Sequence, residues 1–283
     1  MTKAKPEKKN KAPRPTSAAR VINADQESVK TIKARAEALA KSTPGQISVL
    51  HEIQELAPEL IASGQLNAPI FSSDTAISFA CGRGDFQAVD FLLSVGASSK
   101  APTRHGQSAL MQAVRSLSPI LPAVEWEGAQ ACMELVIAAG CDIHHRDQLG
   151  QQAINWASSS PMNIDAARWL LARGANPSAA SRDGMTPLHY AARNGSIEMA
   201  RLFLDAGADA EALADSGGDP RKLDPMGVAL IWLGIHQNSD LVTLLSDAKS
   251  FAQAQRVAEK ERQELGAAAS PSSAPRQILA PRI

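Results

Sequence analysis

The feature that most constrains this chain is a spacing. Leu92-Leu93, Val136-Ile137, Leu170-Leu171 and Phe203-Leu204 each stand a fixed step before a glycine: Gly96, Gly140, Gly174 and Gly207. Ala follows three of those glycines, and Cys141 follows Gly140. Gly140 to Gly174 is 34 residues and Gly174 to Gly207 is 33. A pattern that returns at this period is one supersecondary unit stacked on copies of itself.

The unit is most legible at 183–209. Asp183-Gly184 makes a tight turn, because glycine accepts positive φ without steric cost. Thr186 before Pro187 reads as an N-cap and a first-turn proline. Leu188, Ala191 and Ala192 give a short helix with a small face, which Asn194-Gly195 stops. A second helix presents Met199, Ala200, Phe203 and Leu204. Helices of about three turns are marginal alone in water, so the pair needs neighbours of its own shape. Thr186-Pro187-Leu188-His189 with Ala191-Ala192, then Gly195 and Gly207-Ala208, resembles the ankyrin repeat.

That resemblance implies an all-α solenoid of stacked helix pairs joined by β-turn fingers. Copies recur in register. One has Gly150, Ile154 and Ala157; another has Gly106, Leu110 and Ala113; the earliest has Thr75, Ile77, Ala80 and Gly84. Val228-Ala229, Trp232, Leu241 and Leu244-Leu245 form a degenerate last copy. Residues 70–248 therefore hold four clear repeats and one degenerate repeat. Gly96 to Gly140 is 44 residues, the excess falling in Leu117 to Glu127. A second excess occupies Ala212 to Leu223.

The flanks differ in composition. Residues 1–23 form a basic tail expected to be disordered: Lys3, Lys5, Lys8, Lys9, Lys11, Arg14 and Arg20 face Glu7 alone. Residues 24–69 read as a helical N-terminal cap, with Val29, Ile32, Ala36 and Leu39 in one stripe and Ile47, Leu50, Ile53 and Leu56 in another. Residues 249–266 read as a C-terminal helix, and 267–283, rich in Pro, Ser and Ala, as a disordered tail.

No run of apolar residues is long enough for a transmembrane helix. Three cysteines, Cys81, Cys132 and Cys141, are too few and too odd for a disulfide framework. They point to a reducing, cytoplasmic setting. Catalytic and metal motifs are incomplete. His51-Glu52 opens a helical zinc motif, but Glu55 stands where its second His belongs. Gly82-Arg83-Gly84 lacks the third glycine of a dinucleotide loop, and Arg83-Gly84-Asp85 is explained by an inter-helix turn. His144-His145 point opposite ways on extended chain. No catalytic residue, metal ligand or cofactor is expected.

In the repeats that this chain resembles, the fingers and first helices line a concave binding face. Register places Asp74, Arg83, Arg104, His105, Gln107 and Arg115 there in the first two copies. The third supplies Arg146, Gln148, Leu149, Gln151 and Trp156, and the fourth Arg182, Asp183, Met185, Tyr190, Arg193 and Asn194. Six arginines lie on this face although the formal net charge of the chain is zero. The expectation is a non-enzymatic intracellular module that binds another protein through an acidic surface, with no membrane contact. Two rivals are an enzyme with its site in the N-terminal helices and a regulator that uses the basic tail on nucleic acid.

Overall fold

Several helices begin where a polar side chain takes up an orphan backbone N–H. Thr75 Oγ1 accepts from Ser78 N at 3.2 Å, Ser108 Oγ from Met111 N at 3.3 Å, and Ser196 Oγ from Met199 N at 3.3 Å. The computed structural model describes residues 49–117, 125–215, 222–236 and 238–268, with Thr31 and Ala34. The basic tail, most of residues 24–48, the centre of the Leu117–Glu127 insertion and the tail from 269 lie outside the described residues.

The chain divides into two compact units, 1–156 and 157–283. The first holds α1 (Leu50–Ala62), α2 (Ala76–Gly82), α3 (Phe86–Ser94), α4 (Ala109–Arg115) and α5 (Trp126–Ala138). Here α2 packs on α4, while α3 packs on α1 and α5. Helix α6 (Ala153–Ser158) begins in this unit and ends in the next. The second unit holds α7 (Ile164–Ala172), α8 (Pro187–Arg193), α9 (Ile197–Asp205), the two-residue strands β1 (Ala214–Asp215) and β2 (Lys222–Leu223), α10 (Pro225–His236) and α11 (Ser239–Ala268). Helix α8 packs on α10, and α9 on α7 and α11. Each unit is thus a row of first helices against a row of second helices. The helical repeat fold is the one read from the sequence.

The two rows differ in burial, which explains their composition. Ala76–Cys81, Ala109–Val114 and Pro187–Ala192 are buried at every position. Such helices are mostly apolar, and their polar members Ser78, Gln112 and His189 are hydrogen-bonded. The second helices bury one stripe each: Val89 and Leu92, Met133 and Val136, Ala200 and Phe203. Ile77, Leu110, Ile154 and Leu188 occupy matching positions and are all at most 1% exposed. Side-chain size persists at this position where the Thr-Pro-Leu-His motif does not.

Fingers interlock through the backbone. In the first unit Arg104 N donates to Ser73 O at 2.8 Å and Gln148 N to His105 O at 3.2 Å. In the second, Asp215 N donates to Asp183 O at 2.8 Å. Two local features deserve comparison with the sequence reading. Helix α1 runs through Pro58, which removes one internal hydrogen bond but does not end the helix. The C-terminal helix expected at 249–266 is continuous with the second helix of the last repeat, since no Gly or Pro interrupts Ser239 to Leu265. Arg256 ties it back at 2.7 Å to Glu211, and Lys249 pairs with Asp224 at 2.5 Å.

His189 joins two segments of the second unit. Its Nδ1 accepts from Thr186 N at 3.1 Å, so the proton of the neutral ring is on Nε2, which lies 3.0 Å from Leu223 O and donates to it. Burial holds its pKa below the ordinary 6.5, opposed by the Leu223 carbonyl and by Asp224. With a depressed folded-state pKa the unfolded chain binds the proton first as pH falls. The stabilisation is complete above about pH 6.5 and is lost as pH drops toward the folded-state pKa. Between pH 7 and pH 5 the native chain should lose more melting temperature than His189→Gln; equal losses would refute this role.

Glycines at two turns make a matched pair. Gly174 has φ +87° and a Cβ there would meet nothing within 4 Å. Gly184 has φ +78°, and a Cβ would stand 2.6 Å from Leu213 O. Gly174→Ala should cost about 1–2 kcal/mol from left-handed backbone alone. Gly184→Ala should cost about 1–3 kcal/mol more, because the Leu213 backbone must also move. Urea melts of the two variants check the order.

Candidate partner-binding surface

The finger and first-helix side of the first unit is built on two carboxylates. Asp147 folds the third finger. Its Oδ1 accepts from Leu149 N and Gln151 N, both at 2.9 Å, and its Oδ2 accepts from Trp156 Nε1 at 3.1 Å. The finger closes with Asp147 N donating to Gln151 O at 3.0 Å. This arrangement pins the half-buried Trp156 ring and displays Leu149 at the tip, 60% exposed.

Asp74 organises the first two repeats. It is half-buried rather than exposed as register implied. Gln112 Nε2 donates to its Oδ1 at 3.3 Å and to Gln107 Oε1 at 2.7 Å, and Arg115 Nη2 lies 3.9 Å from Oδ2. Burial raises the Asp74 pKa, with Arg115 and then His105 opposing.

The six arginines divide by environment. Arg83 lies 5.1 Å over the Phe79 ring, and burial lowers its guanidinium pKa from the ordinary value. Arg146 Nη1 donates to Gly150 O at 2.9 Å. Arg115 belongs to the Asp74 cluster. In the second unit Arg193 lies 5.2 Å over Tyr190, whose ring is buried rather than presented. Arg104 and Arg182 are exposed.

The remaining positions split likewise. Gln148 Nε2 donates to Arg104 O at 3.0 Å, and Asn194 Nδ2 to Ser158 O at 3.1 Å, so both spend their amides on the fold. His105 is exposed, while Gln151 and Met185 are half-buried. In the first unit Arg83, Arg104, His105, Arg115, Arg146, Gln148, Leu149 and Gln151 are all borne by fingers or by the first helices and their turns. In the second, Arg182, Met185, Arg193 and Asn194 are placed the same way. Sequence reasoning passed over Asp147 and Gln112. The signal for Asp147 was an aspartate three residues before Gly150, the spacing of a side-chain-stabilised turn.

The other motifs resolve into structure. Asp85 of the Arg-Gly-Asp tripeptide is buried, accepting from Ala88 N at 3.0 Å and Val49 N at 2.6 Å. His51 pairs with Glu55 at 3.4 Å on the surface of α1. His145 Nε2 lies 2.7 Å from Gly106 O, and His144 is exposed. Among the described residues no group of three His, Cys, Asp or Glu could hold a metal ion. The three cysteines are buried and unpaired.

Asp147→Ala should cost about 1–3 kcal/mol, the range for leaving buried donors unpaired. Trp156 would lose its partner, so the emission of the folded protein should shift. Retained emission and stability would show that the finger folds without the carboxylate.

A sequence model for ankyrin repeats in three copies matches residues 120–214. The ankyrin repeat and LEM domain-containing protein 1 homolog of Caenorhabditis elegans is 58% identical over 53 residues, covering 19% of this chain and 8% of that protein. The nuclear factor NF-kappa-B p105 subunit of Gallus gallus is 30% identical over 171 residues, 59% of this chain and 16% of that protein. Ankyrin repeat and SOCS box protein 16 of Mus musculus is 28% identical over 212 residues, 64% of this chain and 46% of that protein. The chain therefore spans less than half the length of each of these relatives.

Proposed function

Because this chain is an ankyrin repeat protein, we propose that it is a non-enzymatic interaction module that grips an acidic surface of another protein with its fingers and first helices. The observation that carries the reading is the pair of exposed guanidiniums, Arg104 and Arg182, on fingers whose backbones are fixed. Arginine offers a planar fork of donors that matches a carboxylate. Leu149 adds an apolar contact in the first unit. Arg83, Arg115, Arg146 and Arg193 contribute positive potential while holding the fold. His105, Gln148 and Gln151 add polar contacts in the first unit, and Met185 and Asn194 add contacts in the second. Three buried, unpaired thiols support a reducing, cytoplasmic location. No described helix is long and apolar enough to cross a membrane.

Such charges steer encounter more than they hold the complex. Affinity capture with mass spectrometry should return an acidic protein whose recovery falls with added salt. Arg104→Glu with Arg182→Glu should slow its association about tenfold or more while leaving the melting temperature nearly unchanged, as surface substitutions usually do. Surface plasmon resonance and thermal melts make the check. Normal binding by a stable double variant would exclude the fingers as the site. Recovery abolished by nuclease would favour nucleic acid held by the basic tail.

A further inference from the structure

The outer helices of the first unit carry the opposite charge to its fingers. Helices α1, α3 and α5 hold Glu52, Glu55, Glu59, Asp90, Glu127 and Glu134, and not one Lys or Arg. Between the three helices lies an open groove of about 670 Å³. Leu50, Phe86, Phe91 and Leu135 supply its apolar lining, and Asp90 and Glu134 its charges. Phe86 is 45% exposed. Folding makes no demand for an aromatic there, since Asp85 already caps α3 and Val89 and Leu92 bury its inner face.

We propose that this groove docks an amphipathic helix of a partner protein, with an apolar stripe flanked by Lys or Arg. An α-helix laid in a groove presents anchors at i, i+3, i+4 and i+7, and aromatic side chains in such grooves dominate the energetics. Asp90 and Glu134 line the groove and its three helices carry no Lys or Arg, so the face repels an acidic visitor and attracts a cationic one. A stripe flanked by cations answers both the charge and the apolar lining, whereas a purely apolar ligand answers only the lining. The site is separate from the finger surface and takes a partner of opposite sign, so the two readings stand or fall independently.

The test uses the full chain and two labelled synthetic helices with the same leucine stripe, one flanked by Lys and the other by Glu. Fluorescence anisotropy should show the Lys helix bound at least tenfold more tightly. Phe86→Ala should weaken it about tenfold, with little effect on melting because the ring is half in water. Asp90→Lys with Glu134→Lys should reverse the preference between the two helices. Arg104→Glu with Arg182→Glu should leave Lys-helix binding intact. Equal affinity for both helices, or unchanged binding by a folded Phe86→Ala variant, would overturn the proposal. Binding that emerges only after Lys30→Glu, Lys33→Glu and Arg35→Glu would overturn it in favour of the chain's own N-terminal segment as occupant. Self-association abolished by Phe86→Ala would overturn it in favour of a second copy.

Discussion

Everything in this protein depends on first helices that are too short and too apolar to exist alone. Ala76–Cys81, Ala109–Val114 and Pro187–Ala192 are buried at every position, so each is stable only when it is enclosed. Enclosure on opposite sides comes from the equivalent helix of an adjacent repeat, as α2 with α4 and α8 with α10. The demand propagates. A helix buried all round excludes charged side chains, and the second helix, with one wet face, becomes the place where charge can vary.

Fingers solve the complementary problem for the backbone. Their turns leave polar groups that must be paired, and they pair them with the next finger, as Arg104 N does with Ser73 O and Asp215 N with Asp183 O. Glycine at the turn is a steric requirement where strands of chain meet, since a Cβ at Gly184 would stand 2.6 Å from Leu213 O. His189 does for side chains what these bonds do for backbone, linking the start of its own helix to Leu223. Rigid, evenly spaced turns are then free to vary in side chain. That freedom is what a binding surface needs.

The first unit consequently offers two chemically distinct surfaces. Its fingers and first helices carry Arg83, Arg104, Arg115 and Arg146; its outer helices carry six carboxylates and an exposed phenylalanine. A chain of zero formal net charge is here a chain of separated charges.

The sequence by itself determined the repeat, because glycine at a left-handed turn and a leucine-sized residue in an enclosed helix are local requirements. Gly96, Gly140, Gly174 and Gly207 all have positive φ, and Ile77, Leu110, Ile154 and Leu188 are all buried, whatever surrounds them in sequence. It also indicated which residues belong to fingers, since the period carries that information. Tertiary structure decided what those residues do. Arg146 and Asn194 bond carbonyls of the fold, Asp74 is drawn inward by Gln112 and Arg115, and Arg104 and Arg182 are left exposed. The Phe86 groove was equally invisible in sequence, because its lining comes from the N-terminal helix α1 and the second helices of two repeats. A period records which face a side chain occupies; only packing between repeats decides whether its polar groups are already satisfied.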